Sequence, residues 1–132
     1  MTQPTPLVAI VDDEESVCRA LKRLVRSLGF RAQTFSSGDD FLGLMSGMPS
    51  FRPDCVILDV QMPGTNGLQV QEELAGRDFK PPVIIITAHD APGVCERALA
   101  AGAFAFLLKP FTDEQLGRTL EQALARDRGG SS

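Results

Sequence analysis

Cys55-Val56-Ile57-Leu58-Asp59, followed by Val60-Gln61-Met62-Pro63-Gly64, is the stretch whose reading decides the fold. An apolar run without polar alternation reads as a strand buried on both faces, which is how strands look in a parallel sheet covered by helices. Asp59 stands where that run gives way to a Met-Pro-Gly turn, so its carboxylate is held at a rigid edge.

The same pattern recurs along the chain. Leu7-Val8-Ala9-Ile10-Val11 ends in Asp12-Asp13, Val83-Ile84-Ile85-Ile86 ends in Thr87-Ala88, and Phe106-Leu107-Leu108 ends in Lys109-Pro110. Each apolar run delivers polar groups at its carboxyl end. As neighbouring parallel strands, these runs bring three carboxylates, a hydroxyl and an ammonium to one rim, the side on which open α/β sheets bind their ligands.

Helical spacing fills the intervals. Val17, Leu21, Leu24, Val25 and Leu28 form one apolar face after the acidic start Asp12 to Glu15, which suits the positive end of a helix dipole. Gly29 is placed to end that helix in a left-handed conformation. Phe30 to Phe35 fits a short second strand, and Phe41, Leu42, Leu44 and Met45 support a second helix before the loop that runs from Ser46 to Asp54. Leu68, Val70 and Leu74 mark a third helix to about Ala75, and Val94 to Ala101 a fourth, closed by Gly102. Thr112-Asp113-Glu114-Gln115 has the spacing of a capping box ahead of Leu116, Leu120 and Leu124 on a fifth.

Five strands alternating with five helices predict an α/β protein with a parallel, doubly wound sheet and right-handed crossovers. Periodicity alone leaves the strand order open. The flavodoxin-like (βα)5 order 2-1-3-4-5 is one of two common solutions, and it sets Asp12 and Asp13 beside Asp59 at the switch point. The domain is expected over residues 7–125, behind an N-terminal lead at 1–6, with 126–132 as a polar tail or the start of a linker.

Composition bounds the function. A chain of 132 residues with ordinary apolar and charged fractions can bury one core without staples. Its formal net charge of -4 argues against nucleic acid or an anionic membrane as the partner of this domain. The apolar runs are too short to span a bilayer and the first residues lack the form of a secretory signal, so a cytoplasmic protein is expected. Cys18, Cys55 and Cys95 are far apart and lack the spacing of a zinc or redox site, which reads as three reduced thiols filling core or helix flanks.

Three carboxylates in one cleft repel one another unless a cation neutralises them, and hard oxygen ligands in a small site favour Mg2+. Lys109 adds a point charge and Thr87 a hydroxyl, both suited to phosphoryl oxygens. Since phosphoryl transfer is chiefly positioning and charge stabilisation, this set suffices for it, with one carboxylate as the nucleophile that forms an acyl phosphate.

With those residues in place, the chain resembles the receiver domain of two-component response regulators from Leu7 to about Ala125. The resemblance rests on Val11-Asp12-Asp13-Glu14, Leu58-Asp59-x-x-Met62-Pro63-x-x-Asn66-Gly67, Ile86-Thr87-Ala88 and Gly102-Ala103-x-x-Phe106-x-x-Lys109-Pro110-Phe111. Any one of these motifs is weak, and four in order at strand ends are specific. Ile86-Thr87-x-His89 with Lys109-Pro110-Phe111 further resembles the nitrogen-fixation regulator type, commonly joined to a DNA-binding helix-turn-helix domain.

The resemblance implies that Asp59 is the phosphoacceptor for a sensor histidine kinase. It implies that Asp13, Asp59 and the backbone carbonyl of Gln61 bind Mg2+, with Asp12 acting mainly through a bound water. Lys109 would hold a phosphoryl oxygen and pair with Asp59 in its absence. Thr87 would move toward the phosphoryl group, Ala88 would present its amide to it, and Phe106 would turn inward behind Thr87. Gln61 and His89 would tune hydrolysis, and Lys109-Pro110 would be a cis peptide. The output face would be the fourth helix, fifth strand and fifth helix, which is also the face for a homodimer.

Blander readings stand beside these. Acidic residues often decorate a helix start, a strand-end Asp or Lys is often only solvated, Phe106 could be permanent core, and His89 an exposed loop residue. Two other functions compete with the switch. An aspartate-nucleophile phosphatase of the haloacid dehalogenase type needs Asp-x-Asp, where Asp59-Val60-Gln61 has glutamine. The other is a constitutive interaction module that keeps only the fold.

Overall fold

The computed structural model describes residues 5–60, 67–77, 81–87 and 93–129. Five strands and five helices alternate: β1 (Leu7–Val11), α1 (Glu15–Ser27), β2 (Arg31–Phe35), α2 (Gly38–Gly47), β3 (Cys55–Asp59), α3 (Gly67–Ala75), β4 (Val83–Thr87), α4 (Val94–Ala100), β5 (Ala105–Leu108) and α5 (Asp113–Gly129). The strands form one parallel sheet in the order β2-β1-β3-β4-β5. That is the flavodoxin-like order expected from the sequence.

Register carries the polar strand ends to one level. Val11 pairs with Leu58, so Asp12, one residue on, lies beside Asp59, while Asp59 pairs with Ile86 and Thr87 with Leu108. At the other end of the sheet, Asp54 ties β1 to β3. Its carboxylate accepts from the Leu7 amide at 2.8 Å, and its own amide donates to the Leu7 carbonyl at 2.7 Å.

Alternation along the strands divides the core into two layers. Val8, Ile10, Ile57, Ile84 and Ile86 face Leu21 and Val25 of α1 and Leu116 and Leu120 of α5. Ala9, Val11, Val56, Leu58 and Ile85 face the other way, onto Phe41 of α2, Leu68 and Leu74 of α3 and Ala98 of α4. β1, β3 and β4 are buried on both faces because helices cover both, which is why their sequences are apolar without alternation. In the second layer Phe35, Phe41 and Phe51 meet edge to face, with centroids 5.4 to 6.1 Å apart, the arrangement that ring quadrupoles favour.

Local signals set the helix ends. Ser37 accepts from the Asp40 amide at 3.0 Å to start α2. Thr112 and Gln115 exchange the two bonds of the expected capping box, at 3.0 and 2.8 Å, ahead of α5. Gly29 and Gly102 follow α1 and α4 at φ of 93° and 101°, a left-handed turn that costs glycine no steric penalty.

One element departs from expectation. α5 continues to Gly129, past the anticipated end at Ala125. Arg126, Asp127 and Arg128 are polar but compatible with a helix, and the chain meets no breaker before Gly129-Gly130. Polarity signals a solvated face; it does not stop a helix.

Candidate functional site

β1 and β3 end side by side, and their ends define the site. Asp12 is fully buried, Asp59 is 3% exposed, and Asp13 is open to solvent. Oxygens from these three carboxylates lie within 4.8 Å of one another, in a cluster that could hold a metal ion.

Asp12 is anchored on every side. Its amide donates to the Phe35 carbonyl at 3.1 Å, Oδ1 accepts from the Glu14 amide at 2.9 Å, and Oδ2 accepts from Lys109 Nζ at 3.3 Å. The thiol of Cys18, on the buried face of α1, points at the Asp12 carbonyl at 3.2 Å. Burial pushes that thiol above its ordinary pKa, and the nearby Asp12 charge pushes the same way. Cys18 is therefore a neutral donor beneath the acids. Cys18 and Cys55 are both buried free thiols, in keeping with the reading of the cysteines as reduced core residues.

Lys109 is positioned through the backbone. It follows β5, and its amide donates to the Thr87 carbonyl at 2.8 Å, which fixes the start of its side chain at the end of β4. The Lys109-Pro110 peptide is cis, as expected. Lys109 forms an ion pair with Asp12; the lysine side chain is 20% exposed and that of Asp12 not at all. A buried carboxylate needs such a partner, because desolvation penalises its charge.

Thr87 ends β4 on the same rim and is fully buried. Phe106 lies lower, level with Ile85, half-buried against the layer of α2, α3 and α4. Asp12, Asp13, Asp59, Thr87 and Lys109 thus gather on one rim, with Phe106 behind it. Gln61, Ala88 and His89, and the Met62-Pro63-Gly64 turn, lie outside the described residues.

A hard divalent cation suits this donor set. Mg2+ and Ca2+ take oxygen ligands at about 2.0–2.6 Å, so oxygens up to roughly 4–5 Å apart can share one ion. The 4.8 Å span of the three carboxylates meets that condition, and the cluster contains no soft ligand.

Chain similarity points the same way as the geometry. The family model of the response regulator receiver domain matches residues 8–121. This chain belongs to the receiver domains of response regulators. It is 39% identical over 124 residues to the response regulator protein TmoT of Ectopseudomonas mendocina, which covers 94% of this chain and 55% of that protein. A solved response regulator receiver protein from Burkholderia phymatum is 58% identical with a TM-score of 0.83, over 92% of this chain and 96% of that one. A solved structure of FixJ-N is 30% identical, also with a TM-score of 0.83, over 92% and 95% of the two chains. The receiver domain described here spans about half the length of the curated relatives it matches, 55% and 52% for the first two. Receiver domains of response regulators are signalling modules.

Two contributions escaped the sequence reading. Gly67 opens α3 against the end of β3, where a Cβ would come within 2.5 Å of the Asp59 carbonyl oxygen. Only a residue without a side chain permits that approach. Gln71 is a buried amide between Leu68 and Leu74 on the inner face of α3. Its signal was available, since a glutamine three residues from each of two buried leucines interrupts an apolar stripe.

Proposed function

We propose that this receiver domain is a phosphorylation-dependent switch in which Asp59 accepts a phosphoryl group from the phosphohistidine of a sensor histidine kinase. The observation that carries this reading is the convergence of Asp12, Asp13 and Asp59, within 4.8 Å, with Lys109 paired to Asp12 on the same rim.

In the transfer, an Asp59 carboxylate oxygen forms the new bond to phosphorus as the bond from phosphorus to histidine nitrogen breaks. The product is an acyl phosphate. The leaving imidazole keeps the electron pair of the broken bond. Asp13, Asp59 and the carbonyl of Gln61, with Asp12 through a water, would hold Mg2+, which would supply positive charge to the phosphoryl oxygens. Burial keeps Asp59 in one orientation, so little reorganisation is needed at the moment of reaction. Lys109 shifts from Asp12 to a phosphoryl oxygen, and Thr87 and the Ala88 amide provide hydrogen bonds to the others.

The output is a change of shape. Thr87 moves toward the phosphoryl group, Phe106 follows it inward, and the face of α4, β5 and α5 presents an altered surface. The exposed side chains of Leu99 and Leu108 suit that face to pairing with a second copy or another protein. The domain turns over no separate substrate and catalyses only its own phosphorylation and slow dephosphorylation.

Relatives include the transcriptional regulatory protein TdiR of Thauera aromatica, about half of which this chain covers (52%). In the proposed setting the domain governs a transcriptional output in the cytoplasm and does not itself touch nucleic acid, in line with its net charge of -4. Among the described residues no helix is long and apolar enough to cross a membrane.

Incubation with acetyl phosphate and Mg2+, read by mass spectrometry, is expected to add one acid-stable, base-labile phosphoryl group. Asp59→Asn should remove it. Steady hydrolysis of free phosphomonoesters would point to a phosphatase, and no modification at all to a constitutive interaction module; either defeats the proposal.

A further inference from the structure

The described side chains of α4 anchor it to the body of the domain at few points. Of its described side chains only Ala98 is buried, while Glu96, Arg97, Leu99 and Ala100 face solvent. Its polar tether to α3 is Gln71, whose Nε2 donates to the Ala98 carbonyl at 2.8 Å, alongside the Ala103 amide at 3.0 Å. The orientation of the amide follows from chemistry, because a carbonyl can only accept and the nitrogen must therefore face Ala98.

That orientation commits Gln71 Oε1 to an interior position where it is shut off from solvent and meets no donor among the described residues. The two ends of one side chain thus oppose each other. A hydrogen bond inside a protein contributes a modest net amount, whereas a buried acceptor without a partner costs at least as much. Holding α4 in place through Gln71 defines its position and adds little to its stability.

We propose that Gln71 is a positioning residue that sets the register of α4 on α3 while keeping its docking marginal, so that a small bias from the phosphoryl site suffices to release the helix. The inference rests on the reading of Asp59 as phosphoacceptor for its regulatory meaning, and on Gln71 alone for its structural content. Undocking α4 brings Oε1 to water and gives up the bond to Ala98. Because docking and phosphorylation are linked equilibria, phosphorylation favours release of α4 by the same factor by which release favours phosphorylation, so tighter docking opposes phosphorylation.

Hydrogen exchange of the α4 amides in the full, unphosphorylated chain tests it. Gln71→Met keeps the length and volume and removes both the donor and the unpaired acceptor. It is expected to slow α4 exchange about threefold or more, the gain left when a lost acceptor penalty exceeds a lost hydrogen bond. Gln71→Glu, read at about pH 8 where a carboxylate is ordinarily charged, should accelerate it. Exchange in α1 should stay unchanged in both variants. Modification by subsaturating acetyl phosphate should fall in Gln71→Met, a response that a purely structural role would not produce. Faster or unchanged α4 exchange in Gln71→Met overturns the proposal, and so does slowing shared equally by α1. If neither the wild type nor the variants take up phosphate, the reading of Asp59 fails, while the α4 exchange still decides the role of Gln71.

Discussion

The centre of the sheet and its β5 edge are built to different standards. On the layer of α1 and α5, Val25, Leu116 and Leu120 are fully buried against Ile10, Ile57, Ile84 and Ile86, and the β1 end that carries Asp12 rests on it. Toward the far edge, β5 has no fully buried residue, Leu108 is 43% exposed, and among the described side chains of α4 only Ala98 is buried, its carbonyl accepting from Gln71. The acid cluster therefore stands on close-packed ground, while the elements next to Thr87 and Phe106 have little holding them. On the proposed function, chemistry that must be preorganised and motion that must be cheap fall in different parts of one sheet.

The largest expected effect tests that contrast directly. Leu120→Ala, in the α1 and α5 layer, should cost about 2–5 kcal/mol by denaturant unfolding, whereas Leu108→Ala on β5 should stay within roughly 0.5 kcal/mol. Similar losses at both positions would erase the distinction.

Next comes the ion pair. Lys109→Met leaves the buried Asp12 without its cation, which should cost about 1–3 kcal/mol, less than breaking a pair buried at both ends because Lys109 is partly exposed. Added Mg2+ should raise the Tm of this variant more than that of the wild type, since the ion takes over the neutralisation of the acids. An equal response in the two proteins would separate Lys109 from the acid cluster.

Gly67→Ala probes the centre of the sheet at the end of β3. The added methyl meets the Asp59 carbonyl and Val60 Cα, and overpacking of this kind costs about 1–3 kcal/mol. Mg2+ affinity, followed by titration calorimetry, should weaken with it, because the backbone that must give way carries Asp59. Unchanged affinity would show that β3 absorbs the methyl without moving its carboxylate.

The smallest effect concerns Cys18. Its folded pKa is raised, chiefly by burial and then by Asp12, so the thiol's contribution to stability is whole below its ordinary value of 9.0 and is lost as pH rises through the higher folded value. Chemical denaturation should show the stability of the wild type falling relative to that of Cys18→Ala as pH rises through the alkaline range. Alkylation of Cys18 in the native protein should likewise be slow at neutral pH.

Much of this molecule was legible in its sequence. Apolar runs without alternation located β1, β3 and β4, and a polar group at the end of each predicted the composition of the rim. The capping box at Thr112 and Gln115 and the left-handed glycines at 29 and 102 follow from local chemistry, which a few neighbouring residues decide. α5 extends to Gly129, through residues whose polar composition marks a solvated face and does not by itself end a helix. The contact of Lys109 with Asp12 was not legible either, since which of three close carboxylates an ammonium touches depends on where it can reach.

The sequence by itself determined the period of each element, the buried character of the central strands and the set of groups available to a phosphoryl site, because these depend on residue type and short-range spacing. Only the tertiary structure decided the register that puts Asp12 level with Asp59, the close approach that demands glycine at position 67, and the opposed ends of Gln71. Each of those depends on backbone atoms brought together from distant parts of the chain, and spacing within one element carries no record of such distances.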